Sequence, residues 1–382
     1  MSKTLREFSV SFLPREGRLW LLLTGGLFLV GWFKGINLLM LLANLLLALW
    51  VVNLFVAGLQ MARIRVRRLT LGPLFAGHEA FWDVEVTSDR RWGSSGWRLT
   101  DSGPAHRQQW FVDRLQSGES LRLRGRAVFP RRGRYALAPL QASCLHPFGL
   151  VQRRRDLLGP EEWLVLPQLG ELALARFQRW LARMVRGEGR LFRVAKPSMI
   201  RQDDLHGLRS FRPGDNPRWI HWRTTARRGE KMVREFEESA GQNLLVVLDP
   251  WSENPDFPDA NLESALSLAA TICWEWCRER HDFLLLAVAG SKPEVVSGYT
   301  SRDNALEALQ ALARASAEGR VDPAPLVRLL ARTVVPGAPV LLIGQRPNSS
   351  LAQALSGHWR RPVIMLQPTT AGEFYTDPAT AS

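Results

Sequence analysis

Residues 19–59 read LWLLLTGGLFLVGWFKGINLLMLLANLLLALWVVNLFVAGL, a run of 41 residues whose only charge is Lys34. One helical crossing of a bilayer needs about 20 apolar residues, so this run has the length of two crossings. Lys34 and Gly35 suit the turn, which predicts transmembrane helices at about 19–33 and 36–60. A buried helical hairpin would need a large protein shell, and a cleaved signal peptide would not be followed at once by a second apolar segment.

Basic residues flank this run on both sides. Because positive charge is retained on the cytoplasmic face, both termini and the chain after residue 62 are expected in the cytoplasm, with Lys34 at a short external tip. The flanking cations are Lys3, Arg6, Arg15, Arg18, Arg63, Arg65, Arg67 and Arg68. The lipid bilayer is therefore the first expected partner.

The net charge of +14 is unevenly distributed. Residues 1–160 carry 23 basic and 10 acidic side chains, whereas residues 241–382 carry 11 and 15. This asymmetry favours a surface that lies against a membrane, and no nucleic-acid partner is expected. The three cysteines cannot form a disulfide scaffold and suit a reducing compartment.

Residues 63–160 show short alternating apolar and polar runs between turn residues. Residues 121–128, LRLRGRAV, are one example. Such alternation is typical of antiparallel strands with arginines on the solvated face, and it predicts a β-sandwich-like domain. An amphipathic helix is predicted within residues 171–189, with opposite apolar and basic stripes. The helix either packs on its own protein or docks on an anionic surface.

The densest unusual segment covers residues 207–237. Pro217 suits the first turn of a helix that Gly229 ends, and a strand follows. This segment resembles the signature of the bacterial DUF58 family. The residues that carry the resemblance are Arg209, Phe211, Pro213, Gly214, Asp215, Arg218, Ile220, His221, Trp222, Ala226, Arg227, Val233, Arg234 and Glu235. Arg212 lies within the same segment and is a further candidate interaction residue.

Two further motifs resemble the same family, at residues 131–135 (RRGRY) and 146–151 (HPFGLV). The resemblance implies a von Willebrand A-like domain and an associated MoxR-type AAA ATPase. It also implies the bacterial plasma (inner) membrane as the location.

The chemistry of the signature segment leaves three interpretations open. Arginines pair with carboxylates and stack on indoles, so the segment could be a buried ionic scaffold around Trp219 and Trp222. It could instead be a docking surface for an acidic peptide or phosphate. A metal site is the third interpretation, although its spacing matches no standard ligand set. Its ligands would be Asp203, Asp204, His206 and His221.

From residue 243 the pattern alternates strands and helices, which predicts a parallel sheet covered on both faces. The von Willebrand A-like resemblance implies a magnesium site with the pattern Asp-x-Ser-x-Ser after the first strand. This chain reads Asp249-Pro250-Trp251-Ser252-Glu253 and lacks the expected aspartate after a later strand. The prediction is a degenerate site around Asp249 and Thr300, with no metal and no cofactor.

Five segments result: residues 1–62 with the two transmembrane helices, 63–160 as the sandwich-like domain, 161–240 with the amphipathic helix and signature, 241–368 as the α/β domain, and 369–382 as a flexible tail. The fold class is a multi-domain membrane protein with an N-terminal transmembrane helical hairpin and a C-terminal α/β von Willebrand A-like domain.

The expected function is a membrane-anchored, non-enzymatic adaptor that works with the ATPase in assembly or maturation of membrane or envelope complexes. The chain has no phosphate-binding Gly-x-x-x-x-Gly-Lys loop of its own. The alternatives are a metal-dependent hydrolase acting through Asp203, Asp204 and His221, and a nucleic-acid-binding protein.

Overall fold

The computed structural model describes residues 10–91, 93–188, 205–210, 221–236, 243–257, 259–278, 283–331, 333, 338–346, 349–359 and 363–378. The chain forms two compact units, Met1–Leu166 and Pro167–Ser382.

The first unit contains two long helices, α1 (Arg15–Lys34) and α2 (Asn37–Gln60). Gly35 joins them in the left-handed conformation, with φ of 66°. The indole of Trp20 donates a hydrogen bond to the carbonyl of Leu46 at 3.0 Å, which ties the helices together. Within the described ranges, α2 alone is long and apolar enough to cross a membrane, by length and composition.

Eleven strands complete the described part of the first unit: β1 (Val10–Phe12), β2 (Ile64–Thr70), β3 (Leu74–Phe75), β4 (Glu79–Ser88), β5 (Ser94–Gly103), β6 (His106–Leu115), β7 (Ser120–Val128), β8 (Gly133–Leu137), β9 (Leu140–Cys144), β10 (Gln152–Leu158) and β11 (Glu161–Leu166). They form sheets in the orders β1-β10-β9-β5-β6, β2-β4-β7 and β3-β11-β8. The β3–β11 pair is parallel, and the other neighbouring strands in these three sheets pair in the antiparallel direction.

One hydrophobic core lies among these strands. Trp82, Trp97 and Phe129 are completely buried in it. Along β7 the arginines at alternate positions are exposed, as the alternation predicts, because successive side chains of a strand point to opposite faces. Gly125 of β7 leaves room for the indole of Trp82, since a Cβ there would lie 2.4 Å from the ring.

A charged group lies in the centre of this core. Asp101 on β5 is fully buried, and the side chain of Arg68 on β2 is 1% exposed. Arg68 Nη2 lies 2.6 Å from Asp101 Oδ1, and Trp82 Nε1 donates to Asp101 Oδ2 at 3.0 Å. His106 Nε2 lies 3.4 Å from the same carboxylate. Three side chains from three other strands therefore surround the carboxylate of Asp101.

The second unit contains nine strands and six α-helices in its described part. The strands are β12 (Glu171–Leu172), β13 (Leu205–Ser210), β14 (Met232–Phe236), β15 (Leu244–Leu248), β16 (Leu284–Val288), β17 (Glu294–Gly298), β18 (Val340–Ile343), β19 (Val363–Leu366) and β20 (Tyr375–Thr376). The helices are α3 (Leu174–Glu188), α4 (Trp222–Arg228), α5 (Ala260–Arg278), α6 (Arg302–Arg314), α7 (Pro323–Leu330) and α8 (Ser350–Trp359).

The main sheet of this unit has the order β17-β16-β15-β18-β19. Strands β16, β15, β18 and β19 are parallel, and β17 is an antiparallel edge strand. Strand β15 is buried at every position, as expected for a parallel strand covered on both faces. Two smaller sheets pair β12 with β20 and β13 with β14.

The C-terminal segment is packed, so the prediction of a flexible tail is wrong for residues 369–376. A 3-10 helix, Pro368–Glu373, and strand β20 follow β19. Phe374 is 3% exposed, and its ring lies 5.3 Å from that of Phe177 on α3 and 5.1 Å from that of Trp180. The apolar side of α3 is thus buried against its own unit, although Met184 near its end is exposed.

Candidate functional site

Part of the signature segment lies in an antiparallel pair of strands. Arg209 on β13 stands opposite Val233 on β14, while Arg234 and Glu235 stand opposite Leu208 and Gly207. Other signature residues lie outside the described residues: Arg212, Pro213, Gly214, Asp215 and Arg218. The proposed metal ligands Asp203 and Asp204 lie outside them as well.

Helix α4 connects to this pair through His221. The backbone N–H of His221 donates to the carbonyl of Met232 at 2.8 Å. His221 caps α4, because its Nδ1 accepts from the backbone N–H of Thr224 at 3.3 Å. Gly229 ends the helix with φ of 72°, as predicted, but the helix begins at Trp222 rather than near Pro217.

One ring nitrogen of His221 is engaged at the start of α4. Its Nδ1 lies 2.8 Å from the hydroxyl of Thr224, in addition to its capping bond. Among the residues with described positions, there is no group of three or more His, Cys, Asp or Glu that could hold a metal ion. The imidazole therefore serves the start of a helix, where a side-chain acceptor satisfies a backbone donor.

Helix α4 exposes an aromatic and basic surface. Trp222 is 66% exposed, so it does not form a buried plate of an ionic scaffold. Arg223, Ala226 and Arg227 are also exposed or partly exposed. Residues four apart on a helix are neighbours, so Trp222 lies beside Ala226 and Arg223 beside Arg227. We call these four residues the α4 surface; it can stack on planar groups and bind anions.

The second candidate location is the carboxyl edge of the parallel sheet. Asp249 follows β15, which lies between β16 on one side and β18 on the other. The chain thus adds later strands on both sides of β15, and such a switch point is where α/β sheets bind ligands. Asp249 is 2% exposed. Its Oδ2 accepts from the hydroxyl of Ser349 at 2.6 Å, and its Oδ1 accepts from the backbone N–H of Trp251 at 3.2 Å. Both carboxylate oxygens are therefore already engaged.

A second carboxylate at this edge, Asp259, is also engaged by the protein. Its Oδ2 accepts from Ser252 Oγ and from Gln345 Nε2, each at 2.7 Å. Burial alone raises the pKa of Asp259, but the hydrogen bonds from Gln345, Ser252 and the backbone N–H groups of Leu262 and Asn261 outweigh it and hold the pKa below its usual value. Amide and hydroxyl donors thus stabilise the charged form of this carboxylate.

Thr300 does not join Asp249 at this edge. Strand β17 is antiparallel, and its last residue, Gly298, pairs with Leu284 at the start of β16. Thr300 therefore follows the strand at the amino edge of the parallel sheet, opposite Asp249. The predicted grouping of Asp249 with Thr300 is wrong, because the sequence pattern did not reveal the direction of β17.

Arg346 covers part of the carboxyl edge. Its guanidinium lies 3.9 Å from the centre of the Trp251 ring, and the indole N–H of Trp251 donates to the carbonyl of Gly319 at 3.0 Å. Trp251 stands where the metal pattern has a serine, and its ring thus forms a cation–π contact with Arg346. Sequence patterns did not predict a role for Gln345, Arg346 or Asp259, which lies in the loop before α5.

Comparison with known proteins shows that this region is similar to one protein family. Residues 207–346 match the family described as "Protein of unknown function DUF58". That range includes the α4 surface and, at the carboxyl edge, Asp249, Asp259 and Arg346.

Individual similar proteins match smaller parts. "Uncharacterized protein YeaD" of Bacillus subtilis (strain 168) is 34% identical over 65 residues, which is 17% of this chain and 15% of that protein. The solution NMR structure of the CARDB domain of PF1109 from Pyrococcus furiosus covers 27% of this chain and 94% of its own, with 14% identity and a TM-score of 0.20, which is too low to indicate a shared fold. The similarity to the DUF58 family thus covers residues 207–346 of this chain.

Proposed function

We propose that this protein is a membrane-anchored, non-enzymatic adaptor that binds a partner through the α4 surface. The partner is a MoxR-type AAA ATPase, which the family resemblance implies, and the complex assembles or matures membrane or envelope complexes. The observation that carries the proposal is the exposure of Trp222 within a family signature. A large exposed indole on the same short helix as two exposed arginines is typical of a protein interface, where tryptophan and arginine contribute most of the binding energy.

The carboxyl edge supports a role without catalysis. Asp249 and Asp259 accept hydrogen bonds from side chains and backbone groups of the protein itself. A carboxylate whose oxygens are engaged in this way is held as a structural element of the loop. We also propose that residues 241–368 of the second unit form a von Willebrand A-like domain, which the parallel sheet with one antiparallel edge strand supports.

We further propose that α1 and α2 both cross the bacterial plasma membrane, with both termini and the chain after residue 62 on the cytoplasmic side. The length and composition of α2 support one crossing. The exposed cations Arg15 and Arg18 at the start of α1, and Arg63 after α2, support the orientation.

Replacing Trp222 by alanine is expected to weaken ATPase binding by about 2 kcal/mol or more, the usual effect of losing a central interface tryptophan. The full-length protein would be purified from detergent extracts of its own organism, and the MoxR-type ATPase recovered with it would be quantified by mass spectrometry. Tyr299→Ala is the matched control, because Tyr299 is 69% exposed and lies in the same unit. Equal recovery with Trp222→Ala and wild type would contradict binding through the α4 surface.

A thiol placed at Lys34 is expected to react from outside the cell, and one placed at Phe257 only after the membrane is opened. Both positions are exposed. The native thiols Cys144, Cys273 and Cys277 are buried, and burial raises the pKa of Cys277 to about 11, so they form little reactive thiolate near neutral pH. Lys34→Cys and Phe257→Cys would be treated with a membrane-impermeant maleimide in intact cells. Labelling at residue 257 in intact cells would contradict the proposed orientation.

A further inference from the structure

A loop of the first unit packs against both long helices. It covers residues 145–150, between β9 and β10. The backbone N–H of Phe148 donates to Asn53 Oδ1 on α2 at 2.9 Å. The carbonyl oxygen of Leu150 lies so close to Gly17 on α1 that a Cβ there would be 1.9 Å from it. The loop is therefore held by both helices, and Gly17 allows the close approach.

These two contacts lie at the same level along the helices. Gly17 is 18 positions before Gly35, and Asn53 is 18 positions after it. With a rise of 1.5 Å per residue, that level is about 27 Å from the turn. The hydrocarbon core of a bilayer is about 30 Å thick, so a helix pair that crosses it from the turn reaches the other boundary near this level. Arg15 and Arg18, on either side of Gly17, are exposed and suit the headgroup region.

The loop exposes apolar side chains at this level. Leu145 is 41% exposed and Phe148 is 53% exposed. The ring of His146 lies beside Gly96 on β5, where a Cβ would be 2.9 Å from its Nδ1. The apolar side chains of Leu145 and Phe148 are thus available to a surface outside the protein.

The backbone of the loop suits a region with little water. Phe148 N–H is bonded to Asn53, and Gly149 N–H donates to the carbonyl of Leu145 at 2.8 Å. Backbone groups near the hydrocarbon must find partners within the protein, because lipid chains offer none. Asn53 is fully buried and supplies one such partner from within the apolar helix.

We propose that residues 145–150 form a third membrane contact, in which Leu145 and Phe148 insert into the boundary between lipid headgroups and acyl chains beside α1 and α2. The inference rests on the proposed membrane anchoring of these helices. Interfacial elements of this kind place apolar side chains about 5–10 Å into the boundary. With membrane contacts from α1, α2 and the loop, the first unit lies against the bilayer in one fixed orientation. A unit anchored by the two helices alone would be free to change its orientation.

Spin labels measure this insertion directly. Full-length Phe148→Cys and Leu145→Cys would each be labelled with a nitroxide and reconstituted in vesicles of phosphatidylethanolamine and phosphatidylglycerol. Because both side chains are about half exposed, these changes remove only part of their packing. Collisions with oxygen, which concentrates in lipid, would be compared with collisions with a water-soluble nickel complex.

Two control positions calibrate the result. Leu45→Cys is on the exposed face of α2 and reports lipid. Arg107→Cys is exposed near the far end of the β5–β6 pair, whereas Ser94, at the other end, bonds to Gln60 of α2, so residue 107 reports water. We expect labels at 145 and 148 to show a ratio of oxygen to nickel collisions well above that at 107 and approaching that at 45.

The outcomes separate the two proposals. If residue 45 reports lipid while residues 145 and 148 match residue 107, the loop does not insert and the inference is overturned while the anchoring stands. If residue 45 also matches residue 107, α2 is not in the membrane, and both the anchoring and the inference fail. Insertion at 148 alone, with residue 145 in water, would restrict the contact to Phe148 and contradict the proposed pair.

Discussion

Replacing Arg68 by methionine is expected to destabilise the first unit by about 3–5 kcal/mol, the usual cost of removing one partner of a buried ion pair. Methionine fills similar space but leaves the charge of Asp101 buried without its main partner. Arg68 also donates to the carbonyl of Ala138 at 3.0 Å and lies 3.2 Å from Glu161, so β2 loses its ties to other strands. The change therefore affects the centre of the core.

Hydrogen exchange followed by mass spectrometry measures this effect in the full-length protein. Peptides covering β4 and β5 are expected to exchange between about a hundredfold and a few thousandfold faster, since each 1.4 kcal/mol is a factor of about ten. Arg65→Met is the matched control on the same strand, because Arg65 is 76% exposed and pairs with Asp89 at the surface. An exposed pair contributes about 1 kcal/mol or less. Similar exchange in the Arg65 and Arg68 variants would contradict the buried pair.

The same network predicts a dependence on pH. Burial alone raises the pKa of Asp101, but the nearby His106 and the hydrogen bonds and charge of Arg68 outweigh it, so the pKa is lowered. A lowered folded-state pKa contributes stability that is fully present above the unfolded value of about 4 and is lost as pH falls through the folded value. The difference between wild type and Arg68→Met is therefore expected to be full at neutral pH and to shrink under acid conditions.

Replacing Phe374 by alanine is expected to destabilise the second unit by about 3–5 kcal/mol, the usual cost of emptying a buried phenylalanine site. The ring of Phe374 fills the space beside Phe177 and Trp180, and Phe177 in turn contacts Trp276 on α5. Its backbone carbonyl accepts a hydrogen bond at 2.8 Å from the backbone N–H of Ala173, the residue just before α3. Loss of the ring is therefore expected to loosen α3 together with the C-terminal segment.

Exchange in peptides from α3 and α5 measures this second effect. Glu373→Ala is the matched control, since the adjacent Glu373 side chain is 73% exposed and pairs with Arg183 at the surface. We expect the control to change exchange by little, because an exposed ion pair contributes about 1 kcal/mol or less. Unchanged exchange of α3 in Phe374→Ala would show that the C-terminal segment does not hold this helix.

Local patterns in the sequence were sufficient for several elements. Gly229 ends α4 because a glycine can adopt the left-handed conformation, and the arginines of β7 face solvent because side chains alternate along a strand. The apolar run of residues 37–59 likewise predicts the long helix α2. Each of these features depends on neighbours within a few residues, which is why periodicity and composition reveal them.

Other features depended on residues that are distant in sequence. The C-terminal segment is polar and rich in small residues, but Tyr375 donates to Ser267 in the core and Phe374 meets Phe177, so tertiary contacts order it. Tyr375 is also buried, and this burial raises the pKa of its hydroxyl to about 12. Nothing near residues 369–376 in the sequence indicates these partners.

At the candidate site, too, some features follow from the local sequence and others from tertiary contacts. The sequence alone determined that Asp249 ends a buried strand and that the flanking pattern departs from a magnesium site. Only the tertiary structure decided which residues meet there: antiparallel pairing of β17 separates Thr300 from Asp249, and Gln345, Ser252 and Arg346 arrive from other loops. The physical reason is that strand direction and loop approach are set by packing across the whole sheet, whereas strand formation is set by a few adjacent residues.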